Sequence, residues 1–344
     1  MLIPDTVTLR YRDPNRALVG VRLLQEIGLP GNVLDFDWDG VDSWVRPLPP
    51  LPVRRLEYRF ELHHPDRLEV VLDPANPDRA PGGYGEKSVV ELDGYRPPEW
   101  LTAPTAPGEW RDLTVASRSL SDPVPVRVWS APGARSLLVA HDGGEFDRLI
   151  GLGQYSAAAV EADTMPPHHL VLLSPVNRND WYSANPAYAK ALAVDVLPAV
   201  RATLAADGPA VALGASLGGL AALHAHRTYP GLFAGMFLQS GSFFQHRFDS
   251  QESSFTAYQR ILKFVAGVRR SRRFGSGSRG PVPTVMTCGL AEENLHNNRD
   301  MAATLRRQGY PLRFVEVPDA HNLVAWRDAW QPHLGDLARE VWTG

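Results

Sequence analysis

The clearest indication of chemistry in this sequence is a serine within a Gly-x-Ser-x-Gly motif. The stretch GASLG places Ser216 between the apolar run PAVAL and the helix-like run LGGLAALHAHRT. A sharp strand-to-helix turn of this kind projects a serine hydroxyl from the edge of a sheet, where it can attack a carbonyl carbon. The flanking glycines lack the Cβ atoms that so tight a turn would force together. We therefore predict that Ser216 is a catalytic nucleophile.

A serine nucleophile needs a general base, and behind this kind of turn the acid and then the histidine follow along the chain. Among the histidines after Ser216, only His321 directly follows the last predicted strand, LRFVEV, in the loop PDAHN. His321 is therefore the predicted base. The acid is expected after the preceding strand, VPTVMTCG, where Glu292 and Glu293 both fit by position. Glu292 is favoured because it lies in the turn that leaves the strand, and Glu293 stays the alternative.

The negative charge that develops on the attacked oxygen needs fixed N–H donors. One donor is expected from the backbone of Leu217, directly after the nucleophile, and a second from the loop HDGGEF that follows the strand SLLVAH. The glycines of this loop let the backbone approach a substrate, so Gly144 or Gly143 is the predicted second donor. His141 and Asp142 are candidates for holding the loop in shape, and a plain Asp-Gly turn is the alternative.

The elements that must position these residues follow an alternating pattern. After Trp110, short β runs alternate with longer helical runs, which is typical of a mostly parallel sheet covered on both faces. RDLTVAS and VPVRVWS are expected to form an opening antiparallel pair, followed by SLLVAH, HLVLLS, PAVALG, AGMFLQ, VPTVMTCG and LRFVEV as buried strands. Helices are predicted over 146–160, 186–205, 217–229, 254–270, 294–309 and 323–342. The segment 241–281 is longer than a simple connection and predicts a lid-like insertion with a mobile tip.

The N-terminal part of the chain has a different pattern. VTLRYR, ALVGVRLL, RRLEYRFEL, RLEVVLD and KSVVEL predict short strands separated by turns, as in a β-sandwich. The proline-dense segment YRPPEWLTAPTAPGE cannot sustain a helix or a central strand, so a linker is expected there. We predict a β-sandwich domain over 1–105 and an α/β domain over 106–344. Trp38, Trp44 and Tyr84 suggest a carbohydrate-binding module, although aromatic residues of a small sandwich more often belong to its core.

Composition argues against several classes of function. The 344 residues carry a formal net charge of -3, which favours neither nucleic acid nor an anionic membrane as a partner. The single cysteine, Cys288, cannot form an internal disulfide or a cysteine-based zinc site, so we expect catalysis without a metal or another cofactor. No apolar run reaches about 18 residues, and MLIPDTVTLRYRDPNRALVG lacks the pattern of a signal peptide. A soluble cytoplasmic protein is expected.

These stretches resemble one known family, the enterochelin (enterobactin) esterases, within the putative esterase group of α/β-hydrolases. GASLGGLAALHAHRTYPGLFAGMFLQSGSFF is similar to the nucleophile elbow and following elements of that family. LLVAHDGGEF, CGLAEENLHNNRDM and VPDAHNLVAWRDAW are similar to its oxyanion loop, acid turn and histidine loop. The N-terminal half resembles its early-set immunoglobulin-like domain. The resemblance implies an α/β-hydrolase fold behind a β-sandwich, with a Ser-His-Glu triad of Ser216, His321 and Glu292.

The resemblance also implies a reaction and a substrate. The family hydrolyses the ester bonds of a macrocyclic trilactone siderophore, which releases iron inside the cell; whether this chain prefers the free or the ferric form stays open. The histidine loop reads Asp-Ala-His-Asn where the family more often has Gly-Gly-His-Asp. Two alternatives stay open. One is a carbohydrate-ester or other small-ester hydrolase or acyltransferase of the same fold, and the other is a non-catalytic protein that binds an anionic ligand.

A ferric tris-catecholate is a bulky trianion, so its pocket is expected to offer cations and aromatic faces. The candidate substrate-binding residues are Arg178, Trp181, Tyr182, Phe243, His246, Arg269 and Arg270. The first three follow the strand HLVLLS on the catalytic edge, and the others lie near the two ends of the insertion. For the arginine run, which continues to Arg272 and Arg273, a solvated helix end that answers the helix dipole is an equal alternative.

Overall fold

The N-terminal region contains two antiparallel sheets in the computed structural model, which describes residues 7–271 and 280–344. The first sheet has the order β1-β4-β3, with β1 (Thr8–Arg12), β3 (Asp37–Trp38) and β4 (Ser43–Pro47). The second contains β2 (Gly20–Gln25), β5 (Arg55–His63), β6 (Leu68–Val71), β7 (Arg79–Ala80) and β8 (Lys87–Glu91). Within it, β5 pairs with β2, β6 and β8, always antiparallel.

The core of this region follows from the alternation in β5. Leu56, Tyr58, Phe60 and Leu62, at every second position, are buried in the core, as expected for one face of a strand. Arg55 and Glu57, on the other face, are buried as well. Trp44 is also buried, and its indole N–H donates to Asp13, whereas the side chain of Tyr84 is almost fully exposed. The predicted strands are therefore present, and their apolar faces share one core.

Two segments from the C-terminal half belong to the same compact unit as the N-terminal region. This unit comprises the described part of Met1–Arg96 together with Gly289–Glu293 and Val317–Ala325. The backbone N–H of Arg54 donates to the carbonyl of Pro318 at 2.9 Å, and Ala320 is buried in the same core as β5. The sequence did not indicate these two additions, because they depend on contacts between residues more than 200 positions apart.

The second unit contains an eight-stranded sheet. It comprises the described part of Pro97–Cys288 with Asn294–Glu316 and Trp326–Gly344. The strands are β9 (Glu109–Val115), β10 (Val124–Ser130), β11 (Ser136–Ala140), β12 (His168–Leu173), β13 (Ala210–Ala215), β14 (Gly235–Gln239), β15 (Thr284–Gly289) and β16 (Leu312–Val317), in the order β16-β15-β14-β13-β11-β12-β10-β9. β9 and β12 pair antiparallel with β10, and β11 to β15 pair with parallel neighbours. The predicted mixed α/β architecture with a mostly parallel sheet is confirmed.

Burial explains why the central strands lie where they do. Every residue of β11, β12, β13, β14 and β15 is buried, so both faces of these strands are covered. Near-continuous apolar runs of this kind are typical of the parallel centre of an α/β sheet. By contrast, β9 is mostly exposed and occupies an edge.

Helices connect the strands of this sheet. They are α1 (Gly143–Ile150), α2 (Leu152–Glu161), α3 (Arg178–Trp181), α4 (Pro186–Ala191), α5 (Leu197–Leu204), α6 (Leu217–Thr228), α7 (Tyr258–Arg270), α8 (Leu295–Arg307), α9 (Leu323–Asp328) and α10 (His333–Thr343). A π-helical turn, Leu192–Val196, joins α4 to α5. The predicted helix 146–160 is divided because Gly151, at a φ of 71°, ends α1. Within the described ranges, no helix combines the length and apolar character needed to cross a membrane.

The predicted insertion 241–281 is packed over much of its described length. The buried residues of α7 are Tyr258, Ile261, Val265 and Val268, and they belong to the main core of the second unit. This part of the insertion is therefore not lid-like. The predicted tip, including Arg272 and Arg273, lies outside the described residues.

Candidate active site

Ser216 occupies the turn between β13 and α6. Its φ of 54° and ψ of -123° lie outside the regions that residues with a side chain normally adopt. Its N–H donates to the carbonyl of Gln239 at 2.9 Å, and its own carbonyl accepts from Ser242 at 3.0 Å. Such a strained residue persists only where its surroundings hold it, and functional sites are where such strain concentrates. The strand-to-helix turn predicted for Ser216 is present.

The two glycines of the motif lie in close packing, against backbone at Gly214 and against a side chain at Gly218. A Cβ atom on Gly214 would lie 2.4 Å from the carbonyl group of Gly218, closer than any real contact. A Cβ atom on Gly218 would lie 3.1 Å from the Cβ of His141, so the start of α6 passes directly over the loop that follows β11. The tight turn therefore excludes a Cβ atom at Gly214, as predicted. At Gly218 the close neighbour is instead the side chain of His141.

A second serine lies beside the candidate nucleophile. The Oγ atoms of Ser216 and Ser242 are 3.2 Å apart, and Ser242 is buried. Asn298, on α8, fixes the segment before Ser242, since its amide nitrogen donates to the carbonyl of Gly241 at 2.9 Å and its amide oxygen accepts from the N–H of Gly241 at 3.0 Å. The sequence did not indicate either role. The only signal was that QSGSFF follows the strand after the nucleophile.

Glu292 and His321 are brought together by the structure. Oε2 of Glu292 lies 2.6 Å from Nδ1 of His321, and the other carboxylate oxygen accepts the N–H of Gly289. The Glu292 side chain is fully buried, whereas that of His321 is 28% exposed. Burial disfavours the charged imidazolium, but the carboxylate of Glu292 outweighs this effect and raises the pKa of His321. Glu293, the alternative acid, is exposed.

The histidine loop is held by side-chain hydrogen bonds from its own residues. Oδ1 of Asp319 accepts the N–H of Ala320 at 2.8 Å and the amide of Asn322 at 3.0 Å. Oδ1 of Asn322 accepts the N–H of Ala325 in the first turn of α9. Asp and Asn commonly fold a chain locally in this way. The motif Asp-Ala-His-Asn therefore provides its own support on both sides of His321.

The loop after β11 opens directly into α1. Gly143 and Gly144 are the first two residues of this helix, and the first N–H groups of a helix have no acceptor within it. A Cβ on Gly143 would lie 2.6 Å from the Cα of Leu172, and one on Gly144 would lie 2.6 Å from Oγ of Ser174. Packing against backbone thus requires glycine at Gly143, whereas at Gly144 a larger residue would displace the side chain of Ser174. Leu217 is the corresponding first residue of α6.

His141 and Asp142 lie inside this loop and are both buried. The N–H of His141 donates to the carbonyl of Leu213 at 2.9 Å. Burial lowers the pKa of His141 to about 4, so its ring is neutral at physiological pH. The carboxylate of Asp142 forms a bidentate ion pair with Arg178. Both residues stabilise the loop, as the sequence suggested, and the segment is more than a plain Asp-Gly turn.

The predicted aromatic contacts to a substrate are not supported. Trp181, Tyr182 and Phe243 are all buried within the main core of the second unit. The sequence could not reveal this, because the direction of a side chain beyond a loop depends on packing. Trp181 instead stacks on Tyr188, with ring centroids 5.8 Å apart. The prediction that these three residues contact a substrate is therefore replaced by a role in the core.

The predicted cations have different surroundings. Arg178 lies 2.8 Å from Asp142, so its charge is compensated within the protein. Arg269 is exposed and pairs with Asp300 at 2.7 Å, near the end of α7. Arg270 and His246 are exposed. Arg269 and Arg270 thus lie in the last turn of α7, which agrees with the alternative that the arginine run is a solvated helix end.

Comparison with known proteins gives consistent matches. Residues 117–337 match the profile of the family described as "Putative esterase". The iron(III) enterobactin esterase of Escherichia coli strain K12 is 26% identical over an alignment of 313 residues, which spans 80% of this chain and 74% of that protein. The structure of the enterobactin esterase from Shigella flexneri in the presence of enterobactin superposes with a TM-score of 0.78 at 19% identity, over 99% of this chain and 96% of that one.

A further solved structure has the same overall fold. The ferric enterobactin esterase from Salmonella typhimurium superposes with a TM-score of 0.75 at 21% identity, over 97% of this chain and 93% of that one. At such identities, the superpositions establish a shared fold. The family profile spans the candidate nucleophile, acid and histidine on this chain.

Proposed function

Because the chain belongs to the putative esterase family, we propose that it is a serine esterase that hydrolyses the ester bonds of a macrocyclic trilactone siderophore of the enterobactin type. The observation that carries the proposal is the buried carboxylate of Glu292 at 2.6 Å from Nδ1 of His321. In a family of esterases, such a pair has the form of an oriented base, and we propose it as the base for the strained Ser216. The curated Escherichia coli relative, an iron(III) enterobactin esterase, supports the substrate class.

In the proposed first half-reaction, Oγ of Ser216 attacks an ester carbonyl carbon while Nε2 of His321 takes the hydroxyl proton. Glu292 accepts a hydrogen bond from Nδ1, which leaves Nε2 as the basic nitrogen and stabilises the imidazolium that forms. The carbonyl oxygen becomes an oxyanion, for which the N–H groups of Leu217 and of Gly143 or Gly144 are the proposed donors. His321 then protonates the departing alkoxide oxygen, and an acyl-enzyme remains on Ser216.

The second half-reaction repeats these roles with water as the nucleophile. His321 removes a proton from the water molecule, which attacks the acyl carbon, and the proton then returns to Oγ of Ser216. Each cycle cleaves one ester bond and leaves one new hydroxyl and one new carboxylate. A trilactone accordingly yields linear products after the first cycle.

The finer architecture forms part of the proposal. Along the chain, we assign an α/β-hydrolase fold to an esterase domain over 106–344 and an immunoglobulin-like β-sandwich of the early-set type to 1–105. By compactness, Gly289–Glu293 and Val317–Ala325 group with the N-terminal unit. The three-stranded and five-stranded antiparallel sheets before Arg96 support the second assignment. The strand order of the eight-stranded sheet, with its nucleophile after β13, supports the first.

The deciding experiment measures the ester products directly. The wild-type chain and Ser216→Ala are incubated with enterobactin and with its ferric complex, and linear products are followed by mass spectrometry. Ser121→Ala serves as a control because this serine is exposed and bonds only locally to Asp122 among the contacts described. We expect hydrolysis by the wild type and by the control, and none by Ser216→Ala.

Other outcomes would redirect the assignment. Hydrolysis of 4-nitrophenyl esters without cleavage of either siderophore form would favour a carbohydrate-ester or other small-ester substrate. Binding of the ferric complex without turnover of any ester would favour a binding protein. Full activity of Ser216→Ala would exclude the serine mechanism.

A further inference from the structure

Asp142 has an unusual backbone conformation at the start of the oxyanion loop. Its φ of 55° and ψ of 24° place it in the left-handed region, which residues with a side chain visit at an energetic cost. The residue is buried, with 4% of its surface exposed. It also occupies the N-cap position of α1, where an aspartate ordinarily accepts a hydrogen bond from the first turn of the helix. Among the described residues, the Asp142 side chain makes no such capping bond.

The Asp142 carboxylate is held by Arg178 instead. Nε of Arg178 donates to Oδ1 at 2.9 Å, and Nη2 donates to Oδ2 at 2.8 Å. Two parallel bonds of this kind fix orientation as well as position, which a single charge contact does not. Arg178 lies at the start of α3, shortly after β12. Because β12 is the parallel neighbour of β11, Arg178 lies close to the loop that follows β11.

The same segment also holds the backbone of Asp142. The N–H of Asp142 donates to the hydroxyl oxygen of Tyr182 at 3.1 Å, and Tyr182 is fully buried. The guanidinium carbon of Arg178 lies 5.8 Å from the centre of the Tyr182 ring, so the two residues form one support. We refer to Arg178 and Tyr182 as the loop clamp. The carbonyl of Asp142 accepts the N–H of Phe146 at 3.0 Å and so begins α1.

The geometry points to a role for this clamp in the reaction. The direction of the Gly143 N–H depends on ψ of Asp142, because rotation about the Cα–C bond turns the peptide plane that carries this N–H. We propose that Arg178 and Tyr182 are positioning residues that hold Asp142 in its left-handed conformation and thereby aim the N–H groups of Gly143 and Gly144 at the developing oxyanion. This inference rests on the proposed serine esterase function and deepens it.

The clamp also changes the role expected for Arg178. An arginine whose charge is compensated by a buried carboxylate at 2.8 Å attracts an anionic substrate far less than a free cation does. A cation that binds substrate mainly affects binding of anionic substrates, whereas a positioning residue affects the transition state of every ester. The two roles therefore predict different kinetics.

The test compares two esters of similar size that differ in charge. 4-Nitrophenyl butyrate is neutral, and 4-nitrophenyl hydrogen succinate carries a negative charge at pH 7.5. Both are assayed with the wild type, Arg178→Gln, Arg178→Lys and Tyr182→Phe. Arg135→Gln is the matched control, since Arg135 forms a bidentate pair with Asp207 on the exposed surface of the same unit.

We expect Arg178→Gln to lower kcat by about 10- to 1000-fold for both esters, because losing one oxyanion donor typically has an effect of about 10²- to 10³-fold. KM should change by less than about threefold for either ester. Arg178→Lys should recover only part of the loss, because an ammonium group cannot form the paired contact. Tyr182→Phe should also lower kcat. Phenylboronic acid, which becomes tetrahedral when it adds to a serine hydroxyl, should bind more weakly to each clamp variant.

Arg178→Gln leaves Asp142 buried without its partner and can therefore fail to fold. The double variant Arg178→Gln/Asp142→Asn removes the unpaired charge and provides a second measurement. A clamp predicts that its kcat is about as low as that of Arg178→Gln, since both lose the same restraint. Wild-type kcat in the double variant would overturn the inference.

Two further results separate this inference from the proposed function. A rise in KM for the succinate ester alone, at unchanged kcat, would make Arg178 a substrate cation and refute the clamp. Kinetics of Arg178→Gln equal to those of Arg135→Gln would refute it as well. In both cases, loss of all activity in Ser216→Ala would leave the serine esterase function intact, whereas activity in Ser216→Ala would remove both proposals.

Discussion

Oε2 of Glu292 lies 2.6 Å from Nδ1 of His321, while the neighbouring Glu293 is exposed. The two glutamates are adjacent in sequence, yet only the first is buried. The reason is local, because the other oxygen of Glu292 is tied to the N–H of Gly289 at the end of β15. This bond turns the carboxylate back towards its own strand and leaves one oxygen for the imidazole. Several consequences of this arrangement can be measured.

The acid of the proposed triad can be identified by a matched pair of substitutions. Glu292→Gln should lower kcat for an ester by about 10²- to 10⁴-fold, because the amide no longer fixes the tautomer or stabilises the imidazolium. Glu293→Gln should change kcat by less than about threefold, since its side chain is solvated. Steady-state kinetics with a 4-nitrophenyl ester, on variants of equal thermal stability, test this difference. Equal losses in the two variants would reject Glu292 as the orienting acid.

The pH dependence of hydrolysis should follow His321. The base acts only when neutral, so kcat/KM should rise with pH through the pKa of His321 and then level off. Because Glu292 raises this pKa, the midpoint should lie above the ordinary histidine value of about 6.5. In Glu292→Gln the rise should move to lower pH while its plateau falls. A midpoint in this variant at or above that of the wild type would contradict the assigned cause.

Two glycine substitutions should have opposite effects on stability. Gly214→Ala places a Cβ 2.4 Å from the backbone of Gly218, so it should destabilise the fold by about 1–3 kcal/mol or more and suppress acylation of Ser216. Gly267→Ala, within α7, meets no atom within 4 Å and should stabilise by up to about 1 kcal/mol. Thermal unfolding of both variants provides the comparison. A neutral Gly214→Ala would show that the elbow is looser than its geometry indicates.

Acid should weaken the fold through buried neutral histidines. Burial lowers the pKa of His168 to about 4, and its ring packs at a tilt against that of Trp342, with centroids 5.1 Å apart. The unfolded chain takes up a proton near pH 6.5, so the contribution of this residue is lost as pH falls from about 6.5 towards 4, by up to about 1.4 kcal/mol per pH unit. Urea unfolding between pH 5 and 7 should show that the free energy of unfolding changes less with pH in His168→Asn than in the wild type. A slope against pH in His168→Asn equal to that of the wild type would contradict this origin.

Asp319 should support the reaction without contacting the substrate. Asp319→Ala removes the acceptor of the Ala320 N–H and of the Asn322 amide, on both sides of His321. Misplacing the base should lower kcat by about tenfold or more, with little change in KM. Asp319→Asn retains an acceptor oxygen and should recover much of the loss. A variant that raises KM at constant kcat would instead assign Asp319 to substrate binding.

Much of the site could be predicted from local sequence. The alternation in β5, the apolar runs of β11 to β15 and the Gly-x-Ser-x-Gly turn each depend on a few adjacent residues, and the structure contains all of them. The choice of Glu292 over Glu293 also followed from a local fact, namely the turn that leaves β15. Patterns of this kind are visible because backbone geometry imposes fixed periods and turn requirements on the chain.

The remaining features required tertiary contacts. Arg178, Trp181 and Tyr182 were predicted to face a substrate, but the structure directs the first to Asp142 and buries the other two. Ser242 acquires its position beside Ser216 through Asn298, more than 50 residues further along the chain.

The sequence by itself therefore determined most of the elements and the order in which the candidate serine, acid and histidine follow one another, because these depend on neighbours along the chain. Only the tertiary structure decided which arginine is neutralised, which aromatic rings are buried and which late segments join the N-terminal unit. The physical reason is that burial and pairing depend on surfaces from distant parts of the chain, and residue spacing carries no record of which surfaces meet.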